Sequence, residues 1–178
     1  MKDFFKVTDL EKILEFSSLF PVVETERILL ENATGRILAE DLVSDVELPG
    51  FSRSTMDGYA VLSSSTFGAS EENPAYLNVV GSIAMGVSPS FLIGKGEAAR
   101  ISTGGMLPNG ADSVVMIEHT EIIDDKTIEA YKSSAPGQNV IEKGEDCTQG
   151  SVVLDAGRKI RPQEAGLIAA FGKDKIKV

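Results

Sequence analysis

Pro49-Gly50-Phe51-Ser52-Arg53-Ser54-Thr55-Met56-Asp57-Gly58-Tyr59-Ala60-Val61-Leu62 is the stretch at which the texture of this chain changes. Before it, apolar residues recur at helical and alternating spacings. After Pro49-Gly50, clusters of Gly, Pro, Ser and Asn punctuate short β-branched or apolar runs at fairly regular intervals. That is the pattern of successive short strands joined by turns. The spacing predicts strands at 58–62, 76–80, 97–101, 113–117, 120–123 and 127–131. Asp124-Asp125-Lys126 predicts a hairpin turn between the last two, while 63–74 and 86–96 read as exposed loops.

Toward the N-terminus, Thr8-Asp9-Leu10-Glu11 has capping-box spacing, and Leu10, Ile13 and Leu14 then recur on one helical face. A helix is predicted over 9–19, with Pro21 fitting its end. The alternation at 22–30 predicts a strand, 33–39 a second short helix, and 41–46 an extended segment. Toward the C-terminus, short strands are expected at 139–141 and 152–154. Arg161-Pro162-Gln163-Glu164 then puts Pro in a first helical turn, Leu167, Ile168, Ala170 and Phe171 supply an apolar face, and Gly172 closes the helix. An alternating strand starts at 176–178 and runs to the last residue, which suggests that the polypeptide continues. The helical material therefore lies at both ends. The expectation is an α+β fold, mainly β, in which a β-rich domain of 45–146 is inserted into a discontinuous domain of 1–44 and 147–178.

A chain of 178 residues can bury an adequate core, and 42% hydrophobic with 25% charged residues is the composition of a folded globular protein. No apolar run approaches the roughly 20 residues of a membrane-spanning helix, and the first ten positions mix charge with Phe instead of building a signal peptide. The cytoplasm is the expected compartment. Cys147 is the single cysteine, so no internal disulfide can form, in keeping with a reducing environment. With no His or second Cys near it in sequence, it reads as an inert small residue in preference to a reactive thiol. Seventeen basic against 27 acidic residues give a formal charge of −10, which opposes binding to nucleic acid or an anionic membrane. An anionic small molecule stays within reach, because backbone N–H groups or a divalent cation can supply local positive potential.

Three segments could carry chemistry. Asp57-Gly58 places a carboxylate at the mouth of a strand beside a permissive Gly, suited to holding a divalent cation or orienting a ligand; taken alone, Asp-Gly is more often a turn. Arg100-Ile101-Ser102-Thr103-Gly104-Gly105-Met106-Leu107-Pro108-Asn109-Gly110-Ala111-Asp112 joins two candidate strands. Its adjacent glycines allow backbone N–H groups to approach an anion or a metal-bound oxygen, and Thr103 adds a hydroxyl. It lacks the Lys-Ser or Lys-Thr ending of a P-loop, and without further support it reads as a connecting loop. Gly144-Glu145-Asp146 offers adjacent carboxylates of which at most one serves a given site, since neighbours on a strand point to opposite faces. Asp146 is the favoured one, with a turn or surface charge pair as the equal alternative. His119 is the only histidine, which excludes a multi-His metal site within one chain. No nucleophile motif of the Gly-x-Ser-x-Gly type is present.

These segments in this order resemble the MoeA family, the molybdopterin molybdenumtransferases, whose eukaryotic relative is the gephyrin E domain. The resemblance joins Ala33-Thr34-Gly35-Arg36-Ile37-Leu38-Ala39 and Leu48-Pro49-Gly50-Phe51 to Met56-Asp57-Gly58-Tyr59-Ala60-Val61, the Thr103-Gly104-Gly105 loop through Gly110-Ala111-Asp112, Gly144-Glu145-Asp146 and the Arg161-Pro162 helix. It covers essentially the whole chain. One departure is Gly105, where the family pattern often has Ala.

The resemblance implies a barrel-like β-rich domain inserted into an elongated mixed α/β domain. It implies insertion of molybdenum from molybdate into adenylylated molybdopterin with Mg²⁺ and release of AMP. Asp57, Thr103 and Asp146 fall where the family places functional residues, with Asp57 and Asp146 as candidates for positioning Mg²⁺ and Gly104 and Gly105 as candidate ligand-binding positions. A homodimer is expected, with each site shared between the β-rich domain of one subunit and the pterin-binding domain of the other. That domain is expected after Val178 and is absent here, so the fragment alone should be inactive. Two alternatives stay open: a non-enzymatic dimerisation or scaffold module, and a tungsten-handling paralogue that keeps the chemistry and changes the oxyanion.

Overall fold

Leu10–Glu15 forms the first helix, α1, and the chain tightens into a 3₁₀ turn over Phe16–Leu19. In the computed structural model, which describes residues 8–21 and 23–178, α1 starts at an extended Asp9 that makes no side-chain cap. The capping box expected from Thr8 and Glu11 is not formed. The described residues divide into two compact units, 8–42 with 154–178 and 43–153.

In the first unit, β1 (Arg27–Leu29) pairs antiparallel with β12 (Lys175–Lys177), Ile28 standing opposite Ile176. β1 is shorter than the strand expected over 22–30. Val22 lies outside the described residues, and Leu30–Asn32 turns into a 3₁₀ segment. The helix expected over 33–39 does not form either. Gly35 sits at φ +90° and donates its N–H to Ile160 O at 2.7 Å, while Leu38 N–H bonds Arg158 O and Ile160 N–H bonds Arg36 O. These long-range bonds satisfy the backbone groups that a helix would have paired locally, and a left-handed residue cannot continue a right-handed turn.

α2 (Pro162–Ala170) begins with Pro at the position where a missing N–H costs nothing, and closes on Phe171 and a left-handed Gly172. Glu164 is 4% exposed. Its carboxylate accepts the Arg161 N–H at 3.0 Å and the guanidinium groups of Arg161 and Arg158. The hydrogen bond from the Arg161 side chain, above all, lowers its pKa to about 2. Ala33, Leu38, Ile160, Ile168, Phe171 and Ile176 are buried in this unit. β2 (Leu42–Val43) pairs with β11 (Val152–Leu154), and the chain leaves the first unit within β2 and re-enters it within β11.

The second unit contains β3 (Arg53–Ser54), β4 (Gly58–Val61), β5 (Ala75–Ile83), β6 (Glu97–Ile101), β7 (Ser113–Met116), β8 (Thr120–Ile122), β9 (Thr127–Ala130) and β10 (Val140–Ile141). Six of these make one sheet in the order β7-β4-β6-β5-β9-β8, antiparallel throughout except for the parallel β5–β6 pair. The sheet curls into a half-barrel. All four residues of β4, an interior strand, are buried, as expected of a strand covered on both faces. Tyr59, Val61, Leu77, Ala98, Val115, Ile128 and Ala130 form one core, and Ala60, Ile83, Ile93, Ala99, Ile101 and Val114 the other.

A slip of register at Val79/Gly81 bends β5. The short β3, absent from the sequence expectations, exists because Ser54 and Arg53 meet Val140 and Ile141 of β10. Asp112 fastens the loop after β4: its two carboxylate oxygens accept the Ser63 N–H at 2.6 Å and the Ser63 hydroxyl at 2.8 Å. Among the described residues, no helix is long and apolar enough to cross a membrane.

Candidate functional site

Ser54 fixes the ground on which the site stands. Its hydroxyl donates to Met56 O and accepts the Met56 N–H, closing a tight turn immediately before Asp57. Its backbone N–H bonds Gly105 O at 3.0 Å and its C=O accepts the Gly104 N–H at 2.8 Å. Ser54 is 2% exposed, so one buried residue ties the 54–57 turn to the 102–105 loop. On the other side, Asp57 C=O accepts the Ile117 N–H, and Gly58 enters β4 between Ile101 and Met116.

The consequence is that Asp57 and Thr103, 46 positions apart in sequence, meet. Asp57 Oδ1 accepts the Thr103 N–H at 2.6 Å and the Thr103 hydroxyl at 3.1 Å. Both residues are exposed. The Thr103 N–H, then the Thr103 hydroxyl and more weakly the charge of Arg100, hold the Asp57 carboxyl below the ordinary aspartate range. Asp57 is thus an ionised group whose Oδ2 is left without a hydrogen-bond partner among the described residues. Such an oxygen can take a hard cation or a donor group of a ligand.

Gly104 and Gly105 have different jobs in the loop. Gly104 lies at φ +78°, a conformation that a side chain resists. Gly105 is buried, and a Cβ there would come within 2.8 Å of Ile101 Cγ1 and 2.9 Å of Ser102 O. The departure from Ala at this position therefore matches a loop packed closely against its own preceding strand.

Asp146 is not joined to this pair by any hydrogen bond or ion pair among the described residues. It is exposed, and its N–H donates to Leu48 O at 2.9 Å, part of a ladder between 47–49 and 144–147. Glu145 is engaged elsewhere, its carboxylate closing a turn by accepting the Glu142 N–H. Of the two adjacent acids, Asp146 is the one whose side chain stays available. His119 ends a 3₁₀ turn, half-buried, and Cys147 is half-buried with Sγ 3.1 Å from Ser151 Oγ. Among the described residues, no group of three or more His, Cys, Asp and Glu is placed to hold a metal. The donor set fits a Mg²⁺ that keeps most of its waters and takes one carboxylate from the protein, the usual habit of that ion beside phosphate ligands.

Two contributors were not singled out from sequence. Ser54 looks like any serine of a turn-rich stretch, although a Ser two residues before a turn carbonyl is a recognisable turn signal. Arg100 falls in the strand expected over 97–101 and heads the loop segment that follows, with no chemistry assigned to it, yet it stands opposite Tyr59 on the neighbouring strand, close enough for its charge to act on Asp57.

Residues 8–172 match the family model described as the MoeA N-terminal region, domains I and II. A molybdopterin molybdenumtransferase of Staphylococcus aureus is 37% identical over 169 residues, 95% of this chain and 39% of the relative. One of Bacillus subtilis is 39% identical over 158 residues, 87% of this chain and 37% of the relative. A crystal structure of a molybdopterin biosynthesis MoeA protein from Pyrococcus horikoshii superposes with a TM-score of 0.82 at 42% identity, covering 97% of this chain and 44% of that one. The chain thus spans about two fifths of the length of the relatives it matches.

Proposed function

The chain belongs to the MoeA family, matching its N-terminal region, and from that premise we propose that it is the N-terminal portion of an enzyme of molybdenum cofactor biosynthesis. The reaction proposed is insertion of molybdenum from molybdate into adenylylated molybdopterin, with release of AMP. The observation that carries this reading is the Asp57–Thr103 pair, an exposed carboxylate with one oxygen fixed by two hydrogen bonds and the other free.

In this reading Asp57 holds Mg²⁺ through Oδ2, directly or through water. When bound, the ion neutralises charge on phosphate oxygens. Thr103 keeps Asp57 oriented and ionised, so that no proton has to leave before a cation or ligand arrives. The N–H groups of Thr103, Gly104 and Gly105 are already spent on Asp57, Ser54 O and Ser102 O, so it is the carbonyls of Thr103 and Gly104, which accept no hydrogen bond among the described residues, that lie beside Asp57 for a ligand to meet. Asp146 acts from its own ladder, facing the ligand independently of Asp57. Residues of a pterin-binding domain supply the rest of the site, and the 178-residue chain alone completes no turnover.

The full-length protein carrying Asp57→Ala should lose at least about tenfold in insertion rate, the scale of removing a group that positions a metal. Wild-type rates from both Asp57→Ala and Asp146→Ala would remove the site assignment. Incubating the 178-residue chain with adenylylated molybdopterin and molybdate should yield no cofactor, and substantial turnover would contradict the shared-site reading.

A homodimer is part of the same proposal. Leu10, Leu14, Leu19 and Phe20 around α1 are 61–75% exposed, an apolar surface that a lone chain leaves in water. An assembly role without chemistry rests on the same surface. Loss of insertion activity with an unchanged sedimentation coefficient in Asp57→Ala separates the two readings in favour of the enzyme.

A further inference from the structure

Within the second unit, a cavity of about 630 Å³ opens beside the parallel strands, on the face of the sheet that carries Tyr59. Its floor is a row of register partners. Arg100 on β6 stands opposite Tyr59 on β4 and opposite Ser82 on β5, so the three side chains project from adjacent strands on one face. Its far wall is the β8–β9 hairpin, with Ile122, Ile128 and the turn at Asp124–Lys126. The register slip in β5 sets Val79 and Val80 between floor and wall. The volume falls within the range of small-molecule sites, about 300–1,000 Å³.

The polar groups of the floor are unspent. Tyr59 is only 3% exposed, and its hydroxyl has no hydrogen-bond partner among the described residues. Arg100 has no carboxylate within ion-pair distance there, and its charge reaches Asp57 only from further away. The ring is buried while the hydroxyl still reaches the solvent of the cavity, so an accepting group bound there can take that hydrogen bond in place of water. Arg100 adds two parallel donors in the geometry that suits a carboxylate.

The wall narrows the class of ligand. Asp124 is already engaged, accepting the Lys126 N–H, while Asp125 is exposed at the rim. The lining charges of Arg100 and Lys126 are matched by those of Asp124 and Asp125, leaving little net attraction for a dianion such as phosphate. Ile122, Ile128 and Val79 offer an apolar surface for a hydrocarbon body.

We infer that this cavity is a binding site for a small organic monocarboxylate, its carboxylate held by Arg100, Tyr59 and Ser82 and its apolar body packed against the β8–β9 hairpin. Neither Asp57 nor Thr103 lines this cavity, although the charge of Arg100 also acts on Asp57, and the inference does not depend on the molybdenum reading.

Titration of the isotope-labelled 178-residue chain with benzoate, followed by NMR, tests it. Benzoate should shift the resonances of Tyr59, Ser82 and Arg100 saturably, at a Kd near or below about 1 mM. Arg100→Gln should weaken binding about tenfold, and Tyr59→Phe by a smaller factor. Arg100 is exposed, so its replacement leaves the core intact; if Tyr59→Phe does not fold, Arg100→Gln decides alone. Benzyl alcohol should bind far more weakly, and inorganic phosphate more weakly than benzoate. Equal binding of benzyl alcohol, tighter binding of phosphate, no saturation at about 10 mM benzoate, or full affinity in Arg100→Gln would each overturn the inference. The titration needs neither Mg²⁺ nor insertion activity, so its failure and that of the transferase reading are told apart.

Discussion

Asp57 shows how one residue's chemistry is set by a partner far away in sequence. Its carboxyl is held below the ordinary value of 3.8, first by the Thr103 N–H and then by the Thr103 hydroxyl. A ¹³C-NMR titration of the aspartate carboxyls should place Asp57 below that value. Thr103→Val removes the hydroxyl but keeps the N–H, so the midpoint should rise only part of the way; a complete return would contradict the backbone bond as the main cause. The same shift has a sign for folding. A depressed carboxyl stabilises the native state above the unfolded pKa, and that contribution fades as pH falls through the folded pKa. Local sequence made Asp57 and Thr103 legible as candidates, one by its strand-end Asp-Gly and the other by the glycines that follow. What could not be read was that they touch, because the contact depends on Ser54 bonding both Gly104 and Gly105 across about fifty intervening residues. Arg100 escaped notice for a related reason: a strand register pairs it with Tyr59, and no local motif records a register.

At the scale of elements, β4 is the strand whose neighbours tolerate least. A Cβ on Gly58 would lie 2.0 Å from Val115 O on β7, a backbone atom that cannot step aside without breaking the ladder. Gly58→Ala should destabilise the protein by about 3 kcal/mol or more, measured by denaturant unfolding; a loss within experimental error would show that the strands close on each other less tightly than described. In α2, Glu164 has its pKa lowered from 4.5 to about 2 by Arg161 before any other group. Its contribution is fully present above about pH 4.5 and is lost as pH falls toward 2. Glu164→Gln should therefore be less stable than the parent at neutral pH, with the difference shrinking over that interval. The boundaries of β6 and β11 coincide with the strands expected at 97–101 and 152–154, because a short β-branched or apolar run between turn residues has few other uses. The expected helix at 33–39 failed because Gly35 and the backbone of 158–160 offered the chain a better set of partners. Propensity alone cannot weigh a partner that lies more than a hundred residues away.

For the whole molecule, the formal charge of −10 and the packing of the six-stranded sheet make two broad expectations. The chain should elute unretained from a heparin or DNA column at physiological salt, and retention there would mean a concentrated basic surface that the composition hides. Native-state hydrogen exchange should be slowest at Val61, Ala98 and Ala99, buried residues in the adjacent interior strands β4 and β6, and fast in α1, none of whose residues is buried. The way the chain enters and leaves the second unit carries a different meaning. Ser44 N–H bonds Ser151 O and Gly150 N–H bonds Ser44 O, so the two ends of that unit are stitched to each other. A segment whose beginning and end lie side by side can be lifted out of a gene, or rejoined in a new order, with only a few linking residues. Heredity has in this hairpin of ends a ready seam, along which the unit could be exchanged between proteins without redrawing the fold on either side.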